Sequence, residues 1–431
     1  MRFNVFKNTV LFPIIIGFGL FMMSCAFKKA KDEKTVLINN DEILRQAQHD
    51  KDNSIGREII VGANQTENYL PLLNGKRVGI VANQTSVIFK NDENQKTEDE
   101  SYTHLVDSLV TLKVNITKVF APEHGFRGTA DAGEIIKDRM DTKTGLPIVS
   151  LYGNNKKPSK EQLKNIDLLI FDIQDVGARF YTYISTLHYV MEACAENNIP
   201  LLLLDRPNPN GHYIDGPILE TAHKSFVGMH PVPVVHGMTI GEYAHMINGE
   251  KWLENGMQCE LKVIPIKNYN HSLPYSLPIK PSPNLPNDQA INLYPSLCFF
   301  EGTNVNAGRG TNTQFQVFGS PFLDPNNYTF KFTPKSNEGA KHPKHENKVC
   351  YGEDLTGFEN LNGLNLNWLI EAYKNTEEQT EFFNDFFTKL AGTKKLQAQI
   401  ESGLTEAQIK ASWKEGLESF KKTREKYLIY K

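Results

Sequence analysis

Three short stretches crowd together the residue types that move protons and grip polar ligands. In Val119-Phe-Ala-Pro-Glu-His-Gly-Phe-Arg-Gly128, a carboxylate, an imidazole, two glycines and a guanidinium directly follow a β-rich run. In Asp172-Ile-Gln-Asp-Val-Gly-Ala-Arg-Phe-Tyr-Thr-Tyr183, two carboxylates, a glutamine, an arginine and two tyrosines lie between an apolar run and a helical one. Asp205-Arg-Pro-Asn-Pro-Asn-Gly211 ends a third apolar run in the same way. In an open α/β sheet, ligands sit beyond the carboxyl ends of the strands. Three strand ends of this kind therefore converge on one crevice, and Glu123 leads the candidates for its chemistry. A plainer role for single residues is also at hand: Asp172 capping the next turn, Arg179 pairing with a surface acid.

The second half adds His236-Gly-Met-Thr239, Pro281-Ser-Pro-Asn-Leu-Pro286 and Glu301-Gly-Thr-Asn-Val-Asn-Ala-Gly-Arg-Gly310. Glycines in the last let the backbone approach a ligand closely, with Glu301 and Arg309 as charged tips. Aromatic residues from Phe299 to Phe318 offer an apolar wall for a sugar ring or pack in the core. No G-x-G-x-x-G follows the first strand, where Ala82-Asn-Gln-Thr85 stands instead, so dinucleotide binding loses its main support. No G-x-S-x-G elbow appears, which removes the usual esterase signature. His342-Pro-Lys-His345 with Cys350 lacks matching ligands elsewhere, and no metal is expected.

The elements that must position these residues follow an α/β rhythm. Strands are predicted over Arg77–Asn83, Val114–Phe120, Pro147–Tyr152, Ile166–Asp172 and Ile199–Asp205, and helices over Tyr102–Leu112 and Tyr183–Glu196. Mostly apolar strands alternating with helices indicate a parallel sheet covered on both faces. Residues 59–206 thus read as a Rossmann-like catalytic domain. Pro-, Asn- and Gly-rich loops then lead into a smaller α/β domain, 207–431, with a cleft between the two. Thr405-Glu-Ala-Gln408 reads as a capping box opening a helix with Ile409, Trp413, Leu417 and Phe420 on one face.

Residues 1–25 carry a charged front, an apolar run too short to span a membrane comfortably, and Ser24-Cys25, the pattern of a bacterial lipoprotein signal with Cys25 lipidated. Residues 26–58 are polar and aperiodic, a tether. Such a protein would be anchored in the envelope, in the periplasm or at the outer membrane. The acidic Lys31-Asp-Glu33 resembles a surface-export signal. Cys194, Cys259, Cys298 and Cys350 are widely spaced, compatible with one or two disulfides or with buried thiols. A net charge of −3 over 431 residues gives no footprint for nucleic acid.

The segments Ala121–Gly128, Asp172–Tyr183 and Leu204–Gly211, with Pro281–Pro286 and Glu301–Asn304, resemble the NamZ family of exo-acting β-N-acetylmuramidases. The resemblance runs from about Gly75 to Arg424-Glu-Lys-Tyr-Leu-Ile-Tyr430, with Ser336–Lys348 peculiar to this chain. It implies release of N-acetylmuramic acid from the non-reducing end of peptidoglycan fragments, without a cofactor. Glycoside hydrolysis generally uses one carboxyl to protonate the leaving oxygen and a second group to assist at the anomeric carbon. On this resemblance Glu123, walled by Phe120 and Phe126, is assigned as the acid, and His124 orients it or binds sugar hydroxyls. Asp175 is the expected second carboxylate, with Asp172 and Glu301 behind it; assistance by the substrate's acetamido group is the alternative. Arg179, Arg206 or Arg309 would hold the lactyl carboxylate, since a guanidinium grips a carboxylate through two parallel hydrogen bonds. Tyr181, Tyr183, Asn208, His236 and Asn304 would complete the substrate pocket. The competing reading is a cell-wall oligosaccharide-binding lipoprotein without catalysis.

Overall fold

Apolar runs without alternation become the inner strands of one sheet, because both of its faces must be covered. The computed structural model describes residues 58–90, 101–128 and 139–431. The leader, Cys25 and all of the tether except its last residue lie outside the described residues. In chain order the strands are β1 (Val78–Ala82), β2 (Val87–Phe89), β3 (Tyr102–His104), β4 (Ile116–Ala121), β5 (Arg139–Met140), β6 (Pro147–Ser150), β7 (Leu168–Asp172), β8 (Leu201–Leu204), β9 (Leu261–Ile264), β10 (Val317–Ser320), β11 (Phe330–Phe332) and β12 (Cys350–Asp354).

Seven of them form a sheet in the order β5-β6-β4-β1-β7-β8-β9. All its pairings are parallel except β5 with β6. With the edge strand β5 set aside, the chain winds outward from β1 through β4 to β6, then returns to place β7, β8 and β9 on the other side. This is the doubly wound Rossmann order, and its topological switch lies between β1 and β7. Every residue of β1, β7 and β8 is buried. The helix Tyr183–Asn197 covers one face, burying Ile184, Leu187, Val190, Met191 and Cys194.

The sheet does not stop at residue 206. Its last strand, β9, and the helix Ile240–Gly249 come from beyond the expected boundary. Thr239 and Glu242 start that helix with a reciprocal capping box. The Pro- and Asn-rich loops between carry no periodicity, which hid the continuation. Two smaller differences have local causes. Tyr102–His104 pairs with β2 before the helix Leu105–Thr111 begins, and His104 caps that helix by accepting from the Val106 N–H. The Thr405 capping box is present, but the helix it opens ends at Ala411 and a second one runs from Lys414 to Glu425.

The second part combines helices with a three-stranded antiparallel sheet, β10-β12-β11. Its centre needs a glycine: a side-chain carbon on Gly352 would overlap the Phe318 carbonyl oxygen. The four cysteines Cys194, Cys259, Cys298 and Cys350 are all buried free thiols. Among the described residues no helix is long and apolar enough to cross a membrane.

Candidate active site

Register carries the candidate acid to the mouth of the sheet. Ala121 of β4 lies opposite Ser150 of β6, and two residues beyond each stand Glu123 and Tyr152. The chain turns at once: the Gly125 N–H donates to the Pro122 carbonyl at 3.0 Å, and His124 adopts a positive φ of 68°. The Thr182 hydroxyl, at the start of the helix covering the sheet, donates to Glu123 Oε2 at 2.7 Å. The Tyr152 phenol also hydrogen-bonds the Glu123 carboxylate, and its pKa is pushed up by burial and then by that negative charge. Tyr152 therefore keeps its proton and acts as a donor.

At the end of β1, Asn83 organises the floor. Its amide donates to the Tyr183 hydroxyl at 2.9 Å, and its carbonyl oxygen accepts from the Thr85 N–H and hydroxyl at 2.9 and 2.6 Å. Tyr181 and Tyr183 in turn donate to the Pro281 carbonyl at 2.8 and 3.3 Å, and their rings meet edge to face at 4.8 Å. Burial raises both phenols, so they stay neutral. Phe180, Tyr294, Phe315, Phe226 and Phe386 add aromatic walls to a cavity of about 560 Å³. Glu123, His124, Tyr152, Glu301 and Arg309 are among its polar lining, with Lys156, whose ammonium lies 4.8 Å from the Phe226 ring centre.

Glu301 and Arg309, which line the same cavity, form a pair at 3.2 Å. Arg309 also donates to the Gly339 carbonyl at 3.1 Å. Behind them the Lys344 ammonium donates to the carbonyls of Phe300 (3.0 Å), Thr303 and Val305 (2.9 Å). Burial pushes its pKa down to about 8. His345 meets the Asn304 carbonyl at 2.6 Å. The segment 336–348 thus buttresses the Glu301–Gly310 loop, and its two histidines and Cys350 do not converge as ligands.

Several expected site residues lie elsewhere, and most of them are buried. The Arg179 guanidinium is fully buried and donates to four carbonyls, of Pro217, Val232, Leu390 and Ala391, at 2.7–2.9 Å. It pins the loops to the C-terminal helices and is not presented to a ligand. Arg206 grips Asp172 through two bonds of 2.6 and 2.9 Å and donates to the Val87 carbonyl, so both side chains are spent inside the fold. Asn208 donates to the Met238 carbonyl, and His236 is buried with Nδ1 accepting from the Met238 N–H. Asn304 is not among the residues lining the cavity. Asp175 is also absent from the lining; it is buried, accepts from the Gly177 N–H at 2.7 Å, and burial lifts its pKa to about 7. Glu301 is the second carboxylate that lines the cavity. Phe120 and Phe126, expected as walls, belong to the two cores.

The structure brings Glu123, His124, Tyr181, Tyr183, Glu301 and Arg309 together as the sequence anticipated. Sequence reasoning missed Asn83, Tyr152 and Thr182. Tyr152 had the available signal, since it follows a strand end just as Glu123 does. Thr182 stood inside the motif, between two tyrosines that drew the attention.

Comparison with known proteins matches the chain to two family models. One, described as exo-β-N-acetylmuramidase NamZ, N-terminal, covers residues 78–289, and its C-terminal counterpart covers residues 292–430. The chain is 39% identical over 389 residues to the peptidoglycan β-N-acetylmuramidase NamZ of Bacillus subtilis (strain 168), spanning 84% of this chain and 89% of that protein. Two crystal structures of DUF1343 family proteins from Bacteroides fragilis NCTC 9343 are similar. One has a TM-score of 0.78 at 47% identity, covering 87% of this chain and 99% of the other. The second has a TM-score of 0.70 at 26% identity, covering 86% and 99%.

Proposed function

The chain belongs to the exo-β-N-acetylmuramidase NamZ family, and on that premise we propose that the aromatic-walled cavity hydrolyses the bond behind a terminal N-acetylmuramic acid, with Glu123 as proton donor. The observation that carries this reading is the environment of Glu123: a carboxyl at a strand end, facing the cavity, with Oε2 fixed by the Thr182 hydroxyl. Held by the hydroxyls of Thr182 and Tyr152, the carboxyl would meet the substrate in a defined direction. An acid positioned within reach of the leaving oxygen contributes typically ~10²–10⁴-fold to the rate.

Glu301 is the second carboxylate in this reading. It acts either at the anomeric carbon or by holding the substrate's acetamido group. Arg309, the one arginine of the three candidates that lines the cavity, would take the lactyl carboxylate. Tyr181 and Tyr183, held by Pro281 and Asn83, supply fixed neutral hydroxyls and ring faces for the sugar. The reaction needs water and two carboxyl groups, and no step calls for a cofactor.

The decisive measurement is release of free N-acetylmuramic acid from a muramyl–glucosamine disaccharide by Glu123→Gln. Turnover should fall by ~10²-fold or more with the melting temperature unchanged. Near wild-type release would remove Glu123 from the acid role.

The cellular setting belongs to the same proposal. A Cys25 lipid anchor would hold the enzyme at the envelope, where peptidoglycan fragments arise. The charged front, short apolar run and Ser24-Cys25 junction support this. Cys25→Ser should move the protein from the membrane fraction to the soluble one; unchanged fractionation would argue against the anchor.

A further inference from the structure

The geometry points to a second cavity, beside the first, that receives the leaving part of the glycan, beginning with its N-acetylglucosamine; this rests on the glycosidase reading above. The cavity has a volume of about 640 Å³ and shares Ser282 with the first. The loop after β4 runs from one to the other, giving Glu123 and His124 to the first and Gly128 to the second. The loop that carries the candidate acid therefore lines both spaces, as a substrate reaching from one into the other would require.

The partition is rigidly tied from both sides. Tyr181 and Tyr183 donate to the Pro281 carbonyl from the first cavity, and the Gln84 amide donates to the Lys280 and Pro281 carbonyls at 3.1 Å from the second. Asn284 and Arg309, lining the first, both donate to the Gly339 carbonyl, whose residue lines the second. Walls fixed before binding lose little entropy when a ligand arrives.

Lining chemistry separates the two spaces. The first carries Glu301, Arg309 and Lys156, suited to a sugar bearing a carboxylate. The second is rich in side-chain amides from Gln84, Asn312, Gln314 and Asn337, with proline faces and one charge of each sign, Lys280 and Glu338. Amides that donate and accept suit the hydroxyls and acetamido group of a neutral amino sugar. Asn337 to Gly339 come from the segment 336–348, so the wall of this second space is built partly from the stretch that also buttresses the Glu301–Gly310 loop.

The test compares kcat/KM on a p-nitrophenyl β-N-acetylmuramide with that on a muramyl–glucosamine tetrasaccharide, for the wild type and for Asn312→Trp and Glu338→Trp. Both positions are exposed, and the new rings would fill the second cavity. Tetrasaccharide hydrolysis should fall about tenfold or more while the aryl glycoside stays within about twofold. Equal effects on both substrates, or none on either in two folded variants, would overturn the inference. A melting curve identifies a variant that fails to fold, and the other is then read alone. A wild type that cleaves neither substrate would instead refute the glycosidase reading itself.

Discussion

Replacing Arg179 with methionine separates two roles that the sequence alone leaves together. If Arg179 held the lactyl carboxylate, its loss would raise KM and leave stability alone. The structure gives the opposite expectation. Methionine removes the guanidinium that donates to the carbonyls of Pro217, Val232, Leu390 and Ala391 at this buried point, and of these Val232 keeps the Leu219 N–H as a donor. Each acceptor left without a donor costs about 1–3 kcal/mol. Removing a buried guanidinium also recovers part of its own desolvation cost, so the net falls well short of the sum. The carbonyls left behind are neutral, so the net loss expected is a few kcal/mol, the cost of one or two orphaned acceptors at ~1–3 kcal/mol each. Since whole domains are stable by only ~5–15 kcal/mol, the urea midpoint should drop visibly. KM on the disaccharide, measured on the fraction that remains folded, should stay near the wild-type value. A variant with an unchanged urea midpoint and a KM raised tenfold would refute the structural role and restore the arginine to the site.

Other perturbations probe the remaining parts of the site. Arg309→Ala should weaken muramyl substrates far more than N-acetylglucosaminyl ones in parallel KM measurements; equal weakening would argue against a lactyl contact. Thr182→Val should lower kcat on the disaccharide by several-fold, about 1 kcal/mol for one hydrogen bond to a reacting group, with little change in KM. Unaltered kcat would show that the hydroxyl does not orient Glu123. The Asp175 carboxyl, raised by burial to about 7, holds its proton in the folded state where the unfolded chain, near 4, has lost it. The folded state then binds more protons between those values, so this group's contribution to stability falls as pH rises from about 4 to about 7 and levels off above. Asp175→Asn should make the urea midpoint less steep across pH 5 to 8, and an identical slope would dismiss the assignment.

Much of the fold was legible because parallel strands announce themselves. Continuous apolar runs such as Leu201–Leu204 and Leu168–Asp172 have few other uses, and each carries its polar cluster to a known edge. Glu123 was legible for that reason. What could not be read was whether an arginine at such an edge faces outward or inward. Arg179, Arg206 and Arg309 have the same chemistry in similar loops. Their fates depend on segments far along the chain: the carbonyls of Leu390 and Ala391 for Arg179, the Asp172 carboxylate for Arg206, Glu301 and Gly339 for Arg309. The same holds for the carboxylates. Asp175 is closer to the motif's centre than Glu301, but the turn at Gly177 folds it away from the cavity. The β9 strand escaped notice because its inner and outer residues alternate at the sheet edge, within a stretch of loops.

The four buried thiols impose an order of events. A thiolate reacts with an oxidant only while it can be reached. In the finished protein Cys194, Cys259, Cys298 and Cys350 are covered; a hydrogen bond with Cys259 and then burial raise the Cys194 thiol, and burial raises Cys298 and Cys350, away from the reactive form. The native state thereby shields these thiols from soluble oxidants. The unfolded chain does not, and a wrong pairing among four exposed cysteines would trap it. In an oxidising compartment such a chain would reach this state intact only where collapse of its core outpaced oxidation of its thiols.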